Sequence, residues 1–381
     1  MNLQESDVLV NHATGQTLTI DDRMRVLESY GAHGDVLQEL LAYNHNTFQR
    51  LPEFDNIAYP LPDEPFVSSW NEYIQRAQDI GALAVVKTCL RHLNFPVLRG
   101  ISQDPLYRAV VLRGEPITGC ALATGIPLLD PEGIQLRMQA TAAGRIPILL
   151  INNRSDFEHI LQALLNRNEP MEIPQSMGAV MVAGYNNWDR IDQYKLFWQQ
   201  SSPSEAWTDA FQRLIPQKAL YQDRFIVVST GAYSNVPAAD LHLEDDEWRR
   251  LSVEIRIVHE CTHYAMKRIY GLMRNNLQDE IIADAMGLVA ANGTFSSDWF
   301  LRFMGLESHR ALRPEGRINV YRGDPPLSEA AFQILQIMLV QAARNFEALF
   351  PPGSDAQAAC NRIMEELATA TLESLSGPLR P

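Results

Sequence analysis

His259 and His263 stand four residues apart and bracket Glu260-Cys261-Thr262, inside a stretch that reads as one long helix. On a helix, positions i and i+4 share a face about one turn apart, so two imidazoles at this spacing point at a common spot that a single tetrahedral ion can bridge. Glu260, rotated about 100° from His259, borders that spot without having to bind the ion. A carboxylate placed there suits the general base for a metal-activated water. The same two histidines also read as ordinary polar residues on a helix face.

The helix around them has well-formed ends. Glu244, Asp245, Asp246 and Glu247 crowd its start, Lys267 and Arg268 lie near its end, and Gly271 follows as a left-handed cap, all in accord with the helix dipole. A second amphipathic helix begins near Asn275-Asn276, residues that cap well, and carries Asp279-Glu280-Ile281-Ile282-Ala283-Asp284. Glu280 and Asp284 share one face with the small residues Ala283 and Gly287, which permit a close approach to the first helix. Glu280 then completes a set of two histidines and one carboxylate. Asp284, one turn on, accepts the free N–H of a ligand histidine and fixes its tautomer. Asp279 is about 100° off that face. The alternative for these acids is a solvated face, which the apolar Ile281, Ile282, Met286, Leu288 and Val289 leave little perimeter to accommodate.

His259-Glu260-xx-His263 followed by Glu280-xxx-Asp284 resembles the gluzincin branch of the zincin metallopeptidases. The resemblance implies zinc held by His259, His263 and Glu280, one ion per chain, with Asp284 supporting a histidine and Glu260 as catalytic base. It covers about residues 224–290 and includes a candidate strand, Arg224–Thr230, where zincins keep an edge strand that aligns substrate. The sequence departs from thermolysin-like members in the short gap of 16 residues between His263 and Glu280. It also lacks a match for their aromatic or histidine oxyanion donor. Met177-Gly178-Ala179, Asn186-Asn187-Trp188-Asp189 and Arg274-Asn275-Asn276 resemble a group of uncharacterised bacterial proteins, from which no activity carries over.

His309, Arg317 and Tyr321 follow the two helices and are candidate electrophilic helpers, with ordinary loop residues as the plainer reading. Asn186–Asp189 reads as a turn into a helix, or else as a substrate-binding loop. Cys261 points elsewhere on its helix and reads as a small buried hydrophobe.

The elements that must position these residues fall into three textures. Residues 1–105 read mainly helical, with segments at Asp21–Tyr30 and Gly34–Phe48, a proline-rich connector, and a helix from about Ser69 to Leu93 closed by Pro96. Residues 106–245 read as an α/β region carrying the sheet. Its strand candidates are Arg108–Arg113, Ile146–Asn152, Gly178–Gly184 and Arg224–Thr230, with helices at Asp156–Leu165 (Ser155 as N-cap) and Ile191–Gln199. Residues 246–381 read as a helical metal-site region, with helices at 246–270, 277–291, 296–304, 328–349 and 355–375. The expectation is an α+β, zincin-like chain: one two-lobed unit with a mixed α/β N-terminal lobe and a helical C-terminal lobe.

Composition narrows the functions. The 381 residues carry 32 Lys and Arg against 46 Asp and Glu, a net charge of −14, which argues against nucleic acid or an anionic membrane as partner. Four scattered cysteines without a CxxC pair fit neither a zinc ribbon nor a disulfide scaffold, and suit a reducing compartment. Neither a signal peptide nor a membrane span is legible, so a cytoplasmic location is expected. The leading expectation is a zinc-dependent hydrolase, most simply a metallopeptidase acting on a peptide or small-molecule amide. A non-haem iron oxygenase shares the ligand set but has no need of Glu260. A metal-binding protein without turnover is the third class, and an intact Glu260 argues against it. The sequence leaves open the substrate, the oligomeric state, and whether the enzyme is a broad peptidase or a dedicated biosynthetic one.

Overall fold

The computed structural model describes residues 18–55, 58–201, 206–307, 313–314, 316–349 and 356–377. Chain contacts divide it into two units, one of Pro60–Gly231 and one formed by Met1–Tyr59 together with Ala232–Pro381. These boundaries differ from the texture changes near 105 and 245. The chain is α+β, with a small mixed sheet and a majority of helix.

In chain order the helices and strands are α1 (Ile20–Ser29), α2 (Gly34–Tyr43), α3 (Phe66–Ile80), α4 (Ala82–Cys89), α5 (Pro105–Arg113), β1 (Gln135–Thr141), β2 (Gly144–Ile151), α6 (Arg154–Leu165), β3 (Ala179–Asn186), α7 (Trp188–Ser201), α8 (Trp207–Leu214) and β4 (Gln222–Ser229). There follow α9 (Asp245–Tyr270), α10 (Gln278–Asn292), α11 (Ser297–Met304), α12 (Glu329–Leu349), α13 (Ala356–Thr369) and α14 (Leu372–Ser376).

The unit of Pro60–Gly231 holds the sheet, in the order β1-β2-β4-β3. β2 and β4 are parallel, and β1 and β3 flank them antiparallel. Its main core joins Trp70 and Tyr73 of α3, Val85 and Val86 of α4, Phe157, Ile160 and Leu161 of α6, and Leu149, Ile151, Phe225 and Val227 of the two central strands.

Four expectations change here. β4 is an interior strand, paired on one side to β2 and on the other to β3, so it has no free edge on which to align a substrate. Phe225, Ile226, Val227 and Val228 are all fully buried, the pattern of a central strand. Arg108–Arg113 is helical, because Asp104 accepts from the N–H groups of Leu106 and Tyr107, Pro105 occupies the first turn and Gly114 closes the helix in the left-handed region. The expected single helix over 69–93 breaks at Gly81, where φ is 84°. Asn153, rather than Ser155, caps α6.

The other unit is helical. α1 and α2 join the C-terminal helices through a buried ion pair, Arg23 Nη2 to Glu373 Oε1 at 3.0 Å, with Arg23 also donating to Leu41 O. Asn46 Nδ2 donates to the carbonyls of Ala368 and Ala370, both at 2.7 Å. Such long-range bonds explain why the N-terminal segment belongs with residues more than 300 positions away. The segment expected as one helix over 355–375 divides before Thr371, whose side chain caps α14. Among the described residues no helix is long and apolar enough to cross a membrane.

Candidate metal centre

α9 runs 26 residues from an acidic first turn (Asp245, Asp246, Glu247) to Lys267 and Arg268, and ends at Gly271 in the left-handed region, as the sequence implies. α10 starts without a side-chain cap at Leu277. Asp279 takes over part of that task, its Oδ1 accepting from the Asn275 N–H at 2.7 Å. A Cβ on Gly287 would stand 2.9 Å from the carbonyl oxygen of Ile255. The missing side chain is therefore what lets α10 lie close against α9.

That closeness brings His259, His263 and Glu280 together. Their ligand atoms lie within 4.8 Å of one another, and among the described residues no other trio of His, Cys, Asp or Glu side chains converges in this way. The Nε2 atoms of the two histidines are 3.1 Å apart. Glu280 Oε2 is 3.6 Å from His259 Nε2, and Oε1 is 3.5 Å from His263 Nε2. Donors about 2.0–2.2 Å from one tetrahedral zinc stand about 3.3–3.6 Å from each other. These separations are of that size, the two Glu280 contacts being made by different oxygens of its carboxylate, and two imidazoles with a carboxylate are ligands suited to zinc.

Behind His259, Asp284 is fully buried and its Oδ1 lies 2.9 Å from Nδ1. Tyr233, which no motif or spacing in the sequence singles out, donates to the same Oδ1 at 2.6 Å and lies 3.0 Å from the same Nδ1. Arg317 donates through Nη2 to Asp284 Oδ2, and through Nη1 to Tyr233 Oη and Ser234 Oγ, both at 3.1 Å. Its guanidinium is thereby engaged behind His259 rather than free as the expected helper, although Nη2 is also 3.9 Å from Glu280 Oε2. Behind His263 the contact is looser. Asp279 Oδ2 is 4.0 Å from Nδ1, and that nitrogen is buried without a hydrogen-bond partner. Asp279 is thus not a solvated acid, and its offset from Glu280 turns it toward His263.

The electrostatics follow from burial set against these partners. Burial alone would raise the Glu280 carboxyl, but the hydrogen bond from His263 and the charges of His259, His263 and Arg317 hold it well below the usual carboxylate range. Asp284 is likewise held down, Arg317 and His259 outweighing its burial. Burial, reinforced by the charge of Glu280, pushes Asp279 up to about 6. In the metal-free chain burial opposes protonation of His263, yet Glu280, Glu260 and Asp279 together raise it to about 9. Two ionised carboxylates at a buried site favour a cation.

The chain belongs to the DUF7005 family. That family of unknown function matches residues 25–378, which span both units and every residue of the centre. No curated protein matches the chain, and no solved structure does. The functional reading of this DUF7005 chain therefore rests on its own residues. Glu260 is partly exposed, without a hydrogen-bond or ion-pair partner for its carboxylate among the described residues, and its charge acts on His263. Tyr321 is half-buried and within hydrogen-bonding reach of Glu280, and its phenol is kept protonated by burial and the neighbouring acids. His309 lies outside the described residues. Cys261 is buried, as expected, and takes no part in the trio.

Proposed function

We propose that this chain is a zinc-dependent hydrolase that cleaves an amide bond, with a centre like that of the gluzincins. The observation that carries the reading is the convergence of His259, His263 and Glu280 from two helices, their ligand atoms within 4.8 Å of one another, with Glu260 near enough for its charge to act on His263. A zinc ion held there would supply Lewis acidity, polarising a carbonyl and lowering the pKa of a coordinated water toward ~7.

The chain's own residues do the rest. His259, His263 and Glu280 would hold the ion. Glu260, one residue from a ligand and without a hydrogen-bond partner among the described residues, takes a proton from the attacking water and returns it to the leaving amine. Asp284 holds His259 through Nδ1, leaving Nε2 turned toward His263 and Glu280. Tyr321 brings a protonated phenol to the edge of the site and is the candidate donor to the developing oxyanion. β4 is excluded as the strand that aligns substrate, because both of its edges are paired.

Ligand and base have different jobs, so two substitutions separate them. His263→Ala should abolish zinc binding. Glu260→Gln should keep zinc at one equivalent while hydrolysis of a responsive amide substrate falls by ~10²–10⁴-fold. Undiminished turnover in Glu260→Gln would rule out this mechanism.

A further inference from the structure

We propose that Tyr233 is a positioning residue of the metal centre, fixing His259, jointly with Asp284, in the tautomer whose Nε2 is free to bind metal. The inference rests on the metal-dependent reading above and adds to it a residue outside both helices of the site.

The protons available around Nδ1 decide the tautomer. Nδ1 of His259, Oδ1 of Asp284 and Oη of Tyr233 form a closed triangle with sides of 2.9, 2.6 and 3.0 Å. A phenol has one proton to give. The short contact to a carboxylate oxygen claims it, so Tyr233 donates to Asp284. Arg317 has only donors, and its Nη1 gives a hydrogen to Oη at 3.1 Å while Nη2 gives one to Oδ2. Both oxygens facing Nδ1 are then acceptors, and Nδ1 must carry the hydrogen. The other tautomer would set a lone pair against two oxygens in a buried site and leave Nε2 blocked by a hydrogen.

The phenol is also held rigidly. Ser234 and Asn235 adopt left-handed backbone conformations, with φ of 50° and 55°, a state that non-glycine residues keep only where their surroundings enforce it. Here Ser252 Oγ accepts from the Tyr233 N–H at 3.0 Å, Arg317 reaches Ser234 Oγ, and Arg256 donates to Ala232 O at 2.6 Å. The ring packs edge-on against Phe303, with centroids 4.9 Å apart. Among the described residues nothing comparable stands behind His263, whose Nδ1 lacks a hydrogen bond and has only Asp279 at 4.0 Å. Orientation of the pair therefore depends on the His259 side.

The test is competition between the protein and a chromophoric chelator for zinc, run on wild type, Tyr233→Phe, Asp284→Asn and the double variant. Unfolding of each metal-free protein and the visible spectrum of each cobalt(II) form are followed in parallel. Tyr233→Phe keeps the ring against Phe303, so the metal-free protein should unfold at the wild-type temperature. Its zinc affinity should fall 10–100-fold, the loss expected when a supporting hydrogen-bond partner is removed, with a shifted cobalt spectrum. Because Tyr233 works through Asp284, the double variant should bind less weakly than the two single losses combined. Wild-type affinity and spectrum in Tyr233→Phe, or strictly additive losses, would overturn the inference while leaving the metal site standing. If Tyr233→Phe does not fold, Arg317→Lys keeps the charge beside Asp284 but cannot span both partners. It too should weaken zinc, and wild-type binding by it would overturn the inference. Failure of wild type to bind zinc would instead remove the metal reading and this inference with it.

Discussion

Each unit of the molecule buries an aspartate against an arginine, and the two arrangements end differently. In the sheet-bearing unit, Asp223 of β4 is fully buried and accepts from Trp70 Nε1 at 2.8 Å, Asn187 Nδ2 at 2.6 Å and Arg190. Arg190 passes its other arm to the Ala219 carbonyl, and the network closes on itself. In the helical unit, Asp284 accepts from Tyr233, His259 and Arg317. That network does not close, because the far nitrogen of His259 faces a second imidazole and a carboxylate. The titration behaviour differs to match. Burial prevails at Asp223 and raises it, whereas Arg317 and His259 prevail at Asp284 and lower it. A buried ion pair is therefore weak grounds for a site. What distinguishes the second is that its chain of hydrogen bonds runs on from Asp284 through His259 to the Nε2 of His263 and the carboxylate of Glu280, atoms able to bind a metal.

The comparison predicts that Asp223→Ala costs stability and nothing else. It leaves Arg190 buried without its counter-charge, an expected loss of about 3–5 kcal/mol in unfolding free energy by denaturant titration. Zinc affinity of the folded protein should be unchanged. A loss of zinc binding matching that of a ligand variant would break the distinction between closed and open networks.

Gly287→Ala tests the contact that assembles the open network. Its new methyl would meet the Ile255 carbonyl at 2.9 Å, and overpacking of this kind costs about 1–3 kcal/mol. The helices must part to relieve it, so zinc affinity should fall along with stability. Wild-type values for both would mean that the approach of α10 to α9 does not bring the three ligands together.

A smaller effect belongs to the sheet-bearing unit alone. Burial, helped by Arg167, lowers His92 to about 4, against an ordinary value of 6.5. A histidine whose folded value is depressed stabilises the fold fully above its unfolded value, and that stability is lost as pH falls from about 6.5 to about 4. The loss should be on the order of 1–2 kcal/mol, since the ring is partly open to water. His92→Phe, which keeps an aromatic ring beside Tyr107 and Tyr185, should flatten that part of the stability–pH curve. An unaltered curve would show that His92 is not its source.

The unequal legibility of the two networks has a physical origin. His259, His263, Glu280 and Asp284 could be read because helical spacing converts sequence distance into direction, and Gly287 because only a missing side chain allows such an approach. Tyr233 could not, since it sits on a short turn 26 positions before His259 and nothing in its spacing reports where that turn folds. Asp279 was legible as a residue off the ligand face, but the same rotation that removed it from the ligand trio aimed it at His263. Val110 and Val111 favoured a strand and outweighed the Asp104-Pro105 start that makes α5 a helix. β1 escaped notice because its sequence, Gln135–Thr141, is largely polar and partly exposed, as a flanking strand with one unpaired side can be. The return of α1 and α2 to the C-terminal helices rests on packing and hydrogen bonds between residues distant in sequence, for which local pattern holds no signal.

The central claim is that the open network ends on a metal. Elemental analysis of wild-type protein purified without added metal, beside Glu280→Ala prepared identically, tests it most directly. Zinc near one equivalent is expected in the wild type, and its loss in the variant. Wild-type protein free of zinc that also fails to take it up on titration, or one carrying stoichiometric iron, would contradict it.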